Sequence, residues 1–178
     1  MIFLFLKSDR GAERIFEGDP ASTEAFDELI CMKTENAIGE RGSNRLLPWT
    51  RGGANGSDCL VVLSDPREKS IEFRDTIKSL SLELPRDIFS KIVFISADTP
   101  AENRRAIKKI NLSEEIRLFS DEKREWMQTY TALGEKRWSM TLFILAEGRV
   151  QRLVREFSQF SSSGVLKNAL YTAEKRRL

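Results

Sequence analysis

The sequence predicts an α/β fold with a mixed central sheet and helices on both of its faces. From residue 59 onward, short runs of β-branched and aromatic residues alternate with amphipathic helical patterns, in the order strand, helix, strand, helix, strand, helix. A β-hairpin with a tight Glu147-Gly148 turn follows, and then a last helix. Strands that alternate with helices form parallel sheets through right-handed crossovers, and a hairpin adds antiparallel strands. A mixed sheet is therefore expected.

The composition excludes several classes of protein. At 178 residues the chain suits a single domain, and its net charge of +2 gives no excess for binding nucleic acid or an anionic membrane. It contains no histidine and only two cysteines, Cys31 and Cys59. These counts exclude Ser-His and Cys-His catalysis and leave too few ligands for the common zinc and iron sites. We expect no metal, no cofactor and no disulfide scaffold.

Residues 1–57 are expected to form an extension that packs on a core made by residues 58–178, within one domain overall. The extension is predicted to contain a short strand over 1–7, a helix over 21–33 and a long loop over 34–58. The loop is rich in glycine and poor in apolar residues. Its length suggests an excursion across one face of the core.

The apolar run that opens the chain is too short for a membrane span and lacks the basic start of a signal peptide. We therefore expect a soluble protein without a membrane span. The compartment stays open, with a reducing one, the cytoplasm or the interior of an organelle, favoured.

Each element of the core has its own sequence signal. Thr99, Pro100 and Glu102 give one helix a capping box with proline at its first position. Ser120 or Asp121 is expected to cap the next helix. In chain order, we expect strands over 59–63, 91–97, 116–119, 140–146 and 149–154, and helices over about 67–84, from 100, from 121 and over 162–177.

The corner where the strand over 59–63 leaves through Ser64-Asp65-Pro66 into a helix is where an α/β fold would keep its chemistry. Counted from Pro66, the corner reads Pro66-x-x-x-Ser70-x-x-Phe73. This resembles the P-x-x-x-T/S-x-x-C signature of the peroxiredoxins, with phenylalanine in place of the peroxidatic cysteine.

Three further segments resemble the same family at corresponding places, and the resemblance covers about residues 58–154. The order of elements is similar to the thioredoxin fold with the extra helix and strand of peroxiredoxins. The matching segments are Phe94-Ile-Ser-Ala-Asp-Thr-Pro100, Leu118-Phe-Ser-Asp121 and Lys136-Arg137-Trp138-Ser139-Met140.

The resemblance implies a site that has lost its nucleophile. Peroxiredoxin chemistry needs a thiolate at a helix N-terminus, an arginine that stabilises it and a hydroxyl that binds the peroxide. The resemblance assigns the arginine to Arg137 and the hydroxyl to Ser70, whereas Phe73 has no ionisable group and fits a buried helix stripe. We therefore expect a peroxiredoxin-like protein that acts by binding, as a subunit or scaffold, with a protein partner or as a homo-oligomer.

Two alternatives remain open at this point. A thiol-dependent oxidoreductase or peroxidase could use Cys31 or Cys59, although both also fit ordinary structural thiols and no Cys-x-x-Cys motif is present. A small-molecule or anion site anchored by Arg137 is the other alternative, and an ordinary surface arginine is the simpler interpretation.

Three residues are candidates for a partner-facing surface. Trp49 could anchor a partner or cover an edge of the sheet. Arg104 and Arg105 lie in a basic cluster on the helix that begins at Pro100, where a solvated face is the simpler interpretation.

Overall fold

The computed structural model describes residues 14–21, 30–31, 60–89, 92–112, 116–146, 148–158, 164, 166 and 168. The strands are β1 (Ile30–Cys31), β2 (Leu60–Asp65), β3 (Ile92–Ser96), β4 (Arg117–Ser120), β5 (Met140–Ala146) and β6 (Arg149–Phe157). The helices are α1 (Ile71–Glu83), α2 (Arg86–Phe89), α3 (Pro100–Lys109) and α4 (Glu125–Thr129). Gly164, Leu166 and Asn168 are also helical, within the predicted last helix.

The strands form one six-stranded mixed sheet in the order β1-β4-β3-β2-β5-β6. The neighbours β2, β3 and β4 pair in parallel, and the other pairings are antiparallel. The predicted mixed sheet is confirmed. Because β2, β3 and β4 run in one direction, their carboxyl ends meet at one edge of the sheet, where β5 begins. Every residue of β2 is buried, as the continuous apolar run predicts for a central strand.

Helices cover both faces of the sheet. On one face, Phe73, Ile77 and Leu80 of α1 pack with Ile107 of α3 and with Leu166. On the other face, α4 contributes Trp126 and Met127, together with Ile15 and Ala21 from the N-terminal part of the chain. This arrangement follows from two crossovers of the same hand, which place α1 and α3 on one side.

The predicted capping box of α3 is confirmed. The Thr99 hydroxyl accepts a hydrogen bond from the Glu102 backbone N–H at 3.1 Å, and the Glu102 carboxylate accepts one from the Thr99 N–H at 3.2 Å. α3 is further tied to the sheet by Asn103, which is buried. Its side chain accepts a hydrogen bond from the Ser96 hydroxyl and donates one to Ser120, each at 2.9 Å.

Some predicted boundaries are wrong. The helix expected over 67–84 begins only at Ile71, because Ser70 caps it and Lys69 has a left-handed backbone with φ 52°. The strand before it continues to Asp65, two residues beyond the predicted end, because Ser64 and Asp65 pair with Ile95 and Ser96 of β3. The short helix α2 was not predicted.

The helix predicted over 21–33 is wrong at its end, since Ile30 and Cys31 form β1 and pair with Ser120 and Phe119 of β4. The backbone N–H and C=O groups at the open edge of β4 need hydrogen-bond partners. Pairing with them stabilises a strand at these two residues more than the weak helical spacing stabilises a helix. The predicted strand over 1–7 and loop over 34–58 lie outside the described residues. Among the helices that are described, none is long and apolar enough to cross a membrane.

Candidate functional site

The corner between β2 and α1 is built around the hydroxyl of Ser70, which is the N-cap of α1. Its oxygen accepts a hydrogen bond from the backbone N–H of Phe73 at 3.2 Å, and its own proton is donated to Asp65 Oδ2 at 2.7 Å. The cap therefore connects the first turn of α1 to the last residue of β2. Pro66, between them, is buried.

Asp65 is fully buried and receives several hydrogen bonds. Arg67 donates to its carboxylate from Nε at 2.9 Å, from Nη2 at 2.8 Å and from the backbone N–H at 2.9 Å. The Arg67 guanidinium also reaches Glu72 at 3.0 Å. The hydrogen bonds that Arg67 donates to Asp65 are the main cause of the raised pKa of Arg67. A buried carboxylate needs such a bidentate partner, so the pair fixes the loop that enters α1.

A second buried carboxylate, Asp98 from the loop between β3 and α3, holds the same loop from the other side. It accepts the Lys69 backbone N–H at 2.6 Å and the Arg74 guanidinium at 3.1 Å. The N-terminal turn of α1 is thus attached to the ends of both β2 and β3.

Arg124, in the turn before α4, closes the outer side of the corner. Its Nε donates to the Pro66 carbonyl at 2.8 Å, its Nη2 lies 3.0 Å from the Glu68 carboxylate, and its guanidinium lies 4.7 Å from the centre of the Trp138 ring. Arg124 adopts a left-handed backbone with φ 58°. Sequence reasoning missed this residue, because nothing in the charged turn around it distinguishes it from Lys123.

Phe73 points into the core. It is 3% exposed, and its ring meets the ring of Phe94 edge to face at 6.3 Å between centroids. The predicted buried stripe on α1 is therefore confirmed at Phe73, Ile77 and Leu80. The side chain at position 73 belongs to the packing between α1 and the sheet.

The structure brings Pro66, Ser70 and Phe73 together at the start of α1. Arg137 lies in the segment between α4 and β5 with its side chain exposed, and no residue in the described part of the chain forms an ion pair with it. The buried residue just before β5 is Ser139, whose hydroxyl has no hydrogen-bond partner among the described residues. Three arginines near the corner each form an ion pair with a carboxylate, namely Arg67, Arg74 and Arg124. None of these three guanidinium groups is therefore free to bind an anion.

Neither cysteine belongs to the segment that forms the corner. Cys59 lies outside the described residues, and its chain neighbour Leu60 begins β2, about 17 Å of strand from Asp65. The backbone of Cys31, in β1, pairs with Phe119 of β4. In the sheet, β1 lies three strand spacings, about 14 Å, from β2. In the parts of the chain that are described, no cluster of acidic or cysteine residues could hold a metal ion.

The candidate partner residues are on the surface or undescribed. Arg104 and Arg105 are exposed on α3, whose inner side is formed by Asn103, Ala106 and Ile107. Trp49 lies outside the described residues.

Asp121 follows β4 at the same edge of the sheet. Its carboxylate accepts the backbone N–H groups of Trp126 at 3.3 Å and Met127 at 2.9 Å. The predicted N-cap at Ser120 or Asp121 is nevertheless wrong, because α4 begins only at Glu125 and its N-cap is Arg124. Burial is the main cause of the raised pKa of Asp121, and the hydrogen bonds from Met127 and Trp126 only partly offset it.

Comparison with known proteins places this arrangement in a known architecture. No protein-family model matches the chain. No curated protein matches it either. Among solved structures, the bacterioferritin comigratory protein of Xanthomonas campestris is similar with a TM-score of 0.63 at 18% identity, over 89% of this chain and 99% of that chain.

Two other solved structures are similar to this chain over most of its length. A PrxQ mutant from Xylella fastidiosa has a TM-score of 0.65 at 13% identity, over 94% of this chain and 100% of that one. The peroxidoxin BcpB of Mycobacterium tuberculosis has a TM-score of 0.60 at 12% identity, over 89% and 98% of the two chains. The chain has the peroxiredoxin-like thioredoxin fold. The fold that the resemblance implies is thereby confirmed.

Within this peroxiredoxin-like fold, the Asp65–Arg67 pair should carry much of the stability of the corner. We expect Asp65→Asn to lower the free energy of unfolding by about 2–3 kcal/mol, since it removes the charge and turns an amide NH₂ towards donors. Urea denaturation measures the change. Asp75→Asn, on the exposed side of α1, is the control and should stay within about 0.5 kcal/mol of wild type. Equal effects of the two substitutions would contradict this role of Asp65.

The raised pKa of Asp121 predicts a pH dependence of stability. A carboxyl whose pKa is raised by folding favours the folded state below its unfolded pKa, and this contribution is lost as the pH rises through the folded-state pKa. The stability of wild type relative to Asp121→Asn should therefore fall as the pH rises from below 3.8. Urea denaturation over a pH series, with exposed Glu122→Gln as control, measures the slope. A difference that is constant or increases with pH would argue against burial as the dominant cause.

Proposed function

We propose that this protein does not reduce peroxides and acts by binding, as a subunit or scaffold of a larger assembly. The observation that supports the proposal most directly is the composition of the corner. The chain has no cysteine after Cys59, so the start of α1 contains no thiol. Its polar positions are occupied by Asp65, Arg67 and Ser70, which bond to one another.

Thiol-dependent peroxide reduction requires a cysteine sulfur, which the start of α1 lacks. In thiol-dependent peroxide reduction, a thiolate attacks a peroxide oxygen, the O–O bond breaks, sulfur becomes a sulfenic acid and the alcohol or water leaves with a proton. The Xanthomonas protein named above is described with alkyl peroxide reduction activity. In this chain, the Ser70 hydroxyl cannot take the place of the thiolate, because an oxygen that attacks a peroxide oxygen only forms another O–O bond and reduces nothing. The hydroxyl serves instead as the cap of α1, donating to Asp65 and accepting the Phe73 N–H.

The rival function is a thiol-dependent oxidoreductase, and Cys31 is its stronger candidate. Cys31 belongs to β1, which pairs with β4 beside Ser120, at the sheet edge that also contains the corner. Cys59, by contrast, precedes the end of β2 that is remote from that edge. The rival requires a cysteine that belongs to β1, and not to α1, to supply the thiolate.

A peroxide-consumption assay with a thiol reductant distinguishes the two functions. We expect hydrogen peroxide and alkyl hydroperoxides to be consumed at the rate of the reductant alone, because the corner offers no nucleophile. Wild type is compared with Cys31→Ser, Cys59→Ser and the double variant. Turnover above background that disappears with Cys31→Ser or Cys59→Ser would establish the rival.

The binding role is tested by co-purification of the tagged chain from its native source, followed by sedimentation to determine stoichiometry. We expect a defined assembly whose formation is weakened by Arg104→Glu with Arg105→Glu, or by Trp49→Ala. Lys78→Glu, an exposed charge reversal on α1, is the matched control. A chain that travels alone as a monomer at native concentration would overturn the binding proposal.

A further inference from the structure

The outward side of α3 carries a cluster of basic side chains. In this helix of ten residues, Pro100–Lys109, four exposed residues are cations, namely Arg104, Arg105, Lys108 and Lys109. Residues four apart are neighbours on a helix surface, so Arg104 lies beside Lys108 and Arg105 beside Lys109. The four side chains therefore form two adjacent columns, called the basic face here.

No acidic side chain of α3 is free to balance these charges. Glu102, the one acid in the helix, closes the capping box and forms an ion pair with Lys69 at 3.3 Å. In the described part of the chain, the ion pairs all involve cations other than Arg105, Lys108 and Lys109. Like charges four residues apart destabilise a helix. The free protein therefore carries a charge repulsion on this side of α3.

The helix dipole accounts for only half of the basic face. Lys108 and Lys109 lie in the last turn of α3, where cations interact favourably with the negative end of the helix. This effect falls off within one turn, whereas Arg104 and Arg105 lie in the middle of the helix. Both arginines are exposed, so packing on the sheet does not require them. Nothing in the described fold accounts for Arg105 in particular.

α3 presents the basic face from a fixed position. The capping box holds its first turn, and buried Asn103 bonds to Ser96 of β3 and to Ser120 of β4, each at 2.9 Å. A surface that is already ordered loses little conformational entropy when a partner docks on it. The basic face is therefore pre-organised for a ligand of opposite charge.

We propose that the basic face of α3 is the docking site for an acidic segment of a protein partner. The carboxylates of such a segment offset the repulsion between the columns, and charge complementarity of this kind selects partners. This inference rests on the proposed binding function and adds the chemistry of the partner.

Two other anionic partners fit the basic face less well. Nucleic acid needs an extended basic surface, whereas the face spans only about 8 Å along the helix and the whole chain has 29 basic against 27 acidic side chains. A membrane-binding helix inserts large apolar side chains, and α3 exposes none.

Binding of poly-L-glutamate tests this chemistry directly. We expect wild type to bind the polymer, and Arg105→Glu with Lys109→Glu to bind it at least about tenfold more weakly, since one column then repels it. The matched control is Lys78→Glu with Arg152→Glu, which changes the net charge equally at exposed positions on α1 and β6. The control should stay within about twofold of wild type, because charges remote from the face are screened. Isothermal titration calorimetry measures the affinities.

A second variant protects the test against a folding defect. Arg105→Gln with Lys109→Gln removes the two charges without adding acids to the helix, and it should also weaken the binding of poly-L-glutamate. Circular dichroism shows whether each variant is folded. A DNA duplex of equal charge and phosphatidylserine vesicles are measured alongside the polymer.

Binding of poly-L-glutamate that is absent in wild type, or equal in wild type and the folded α3 variants, would overturn the docking site. Tighter binding of the duplex or the vesicles would overturn the choice of an acidic protein segment. The proposed function fails separately. An assembly that forms unchanged with Arg105→Glu and Lys109→Glu refutes the basic face but keeps the binding role, whereas a wild-type chain that travels alone refutes the binding role itself.

Discussion

The bidentate pair between buried Asp65 and Arg67 is the constraint on which the corner depends. A carboxylate at the end of a central strand is stable only if its charge and lone pairs are satisfied, and Arg67 and Ser70 do this together. That requirement places Ser70 at the N-cap, which in turn starts α1 at Ile71. With the start fixed, residue 73 falls on the inner side of the helix, where Phe73 packs on Phe94. One ion pair thus connects strand, cap and core.

The fold was predictable because its signals are local and repeated. The apolar runs of β2 and β3, the capping box at Thr99 and the hairpin around Gly148 each specify an element without reference to the rest of the chain. The boundaries that failed depend on contacts that the helical spacing alone does not encode. Ile30 and Cys31 become a strand because β4 has an open edge, and Arg67 remains outside α1 because Asp65 binds it.

The site was only partly predictable for the same reason. Spacing placed Pro66, Ser70 and Phe73 in one corner, since they are close in the chain. Arg124 reaches Pro66 across 58 residues of sequence, and no local pattern marks such a contact. Glu17 and Ile15 likewise bond to β6 across more than 100 residues of sequence. Likeness to peroxiredoxin structures therefore describes the scaffold, while the charges in the corner are those of this chain's own residues.

The most direct measurement of the central claim, that no activated thiol serves this corner, is the pH dependence of alkylation of Cys31 and Cys59 in the native protein. The account predicts that each thiol reacts with a midpoint near the ordinary thiol pKa of about 8.5, or reacts only after denaturation. A native thiol that alkylates rapidly with a midpoint near or below about pH 6 would contradict the account, because it would show a stabilised thiolate of the kind that peroxide reduction requires.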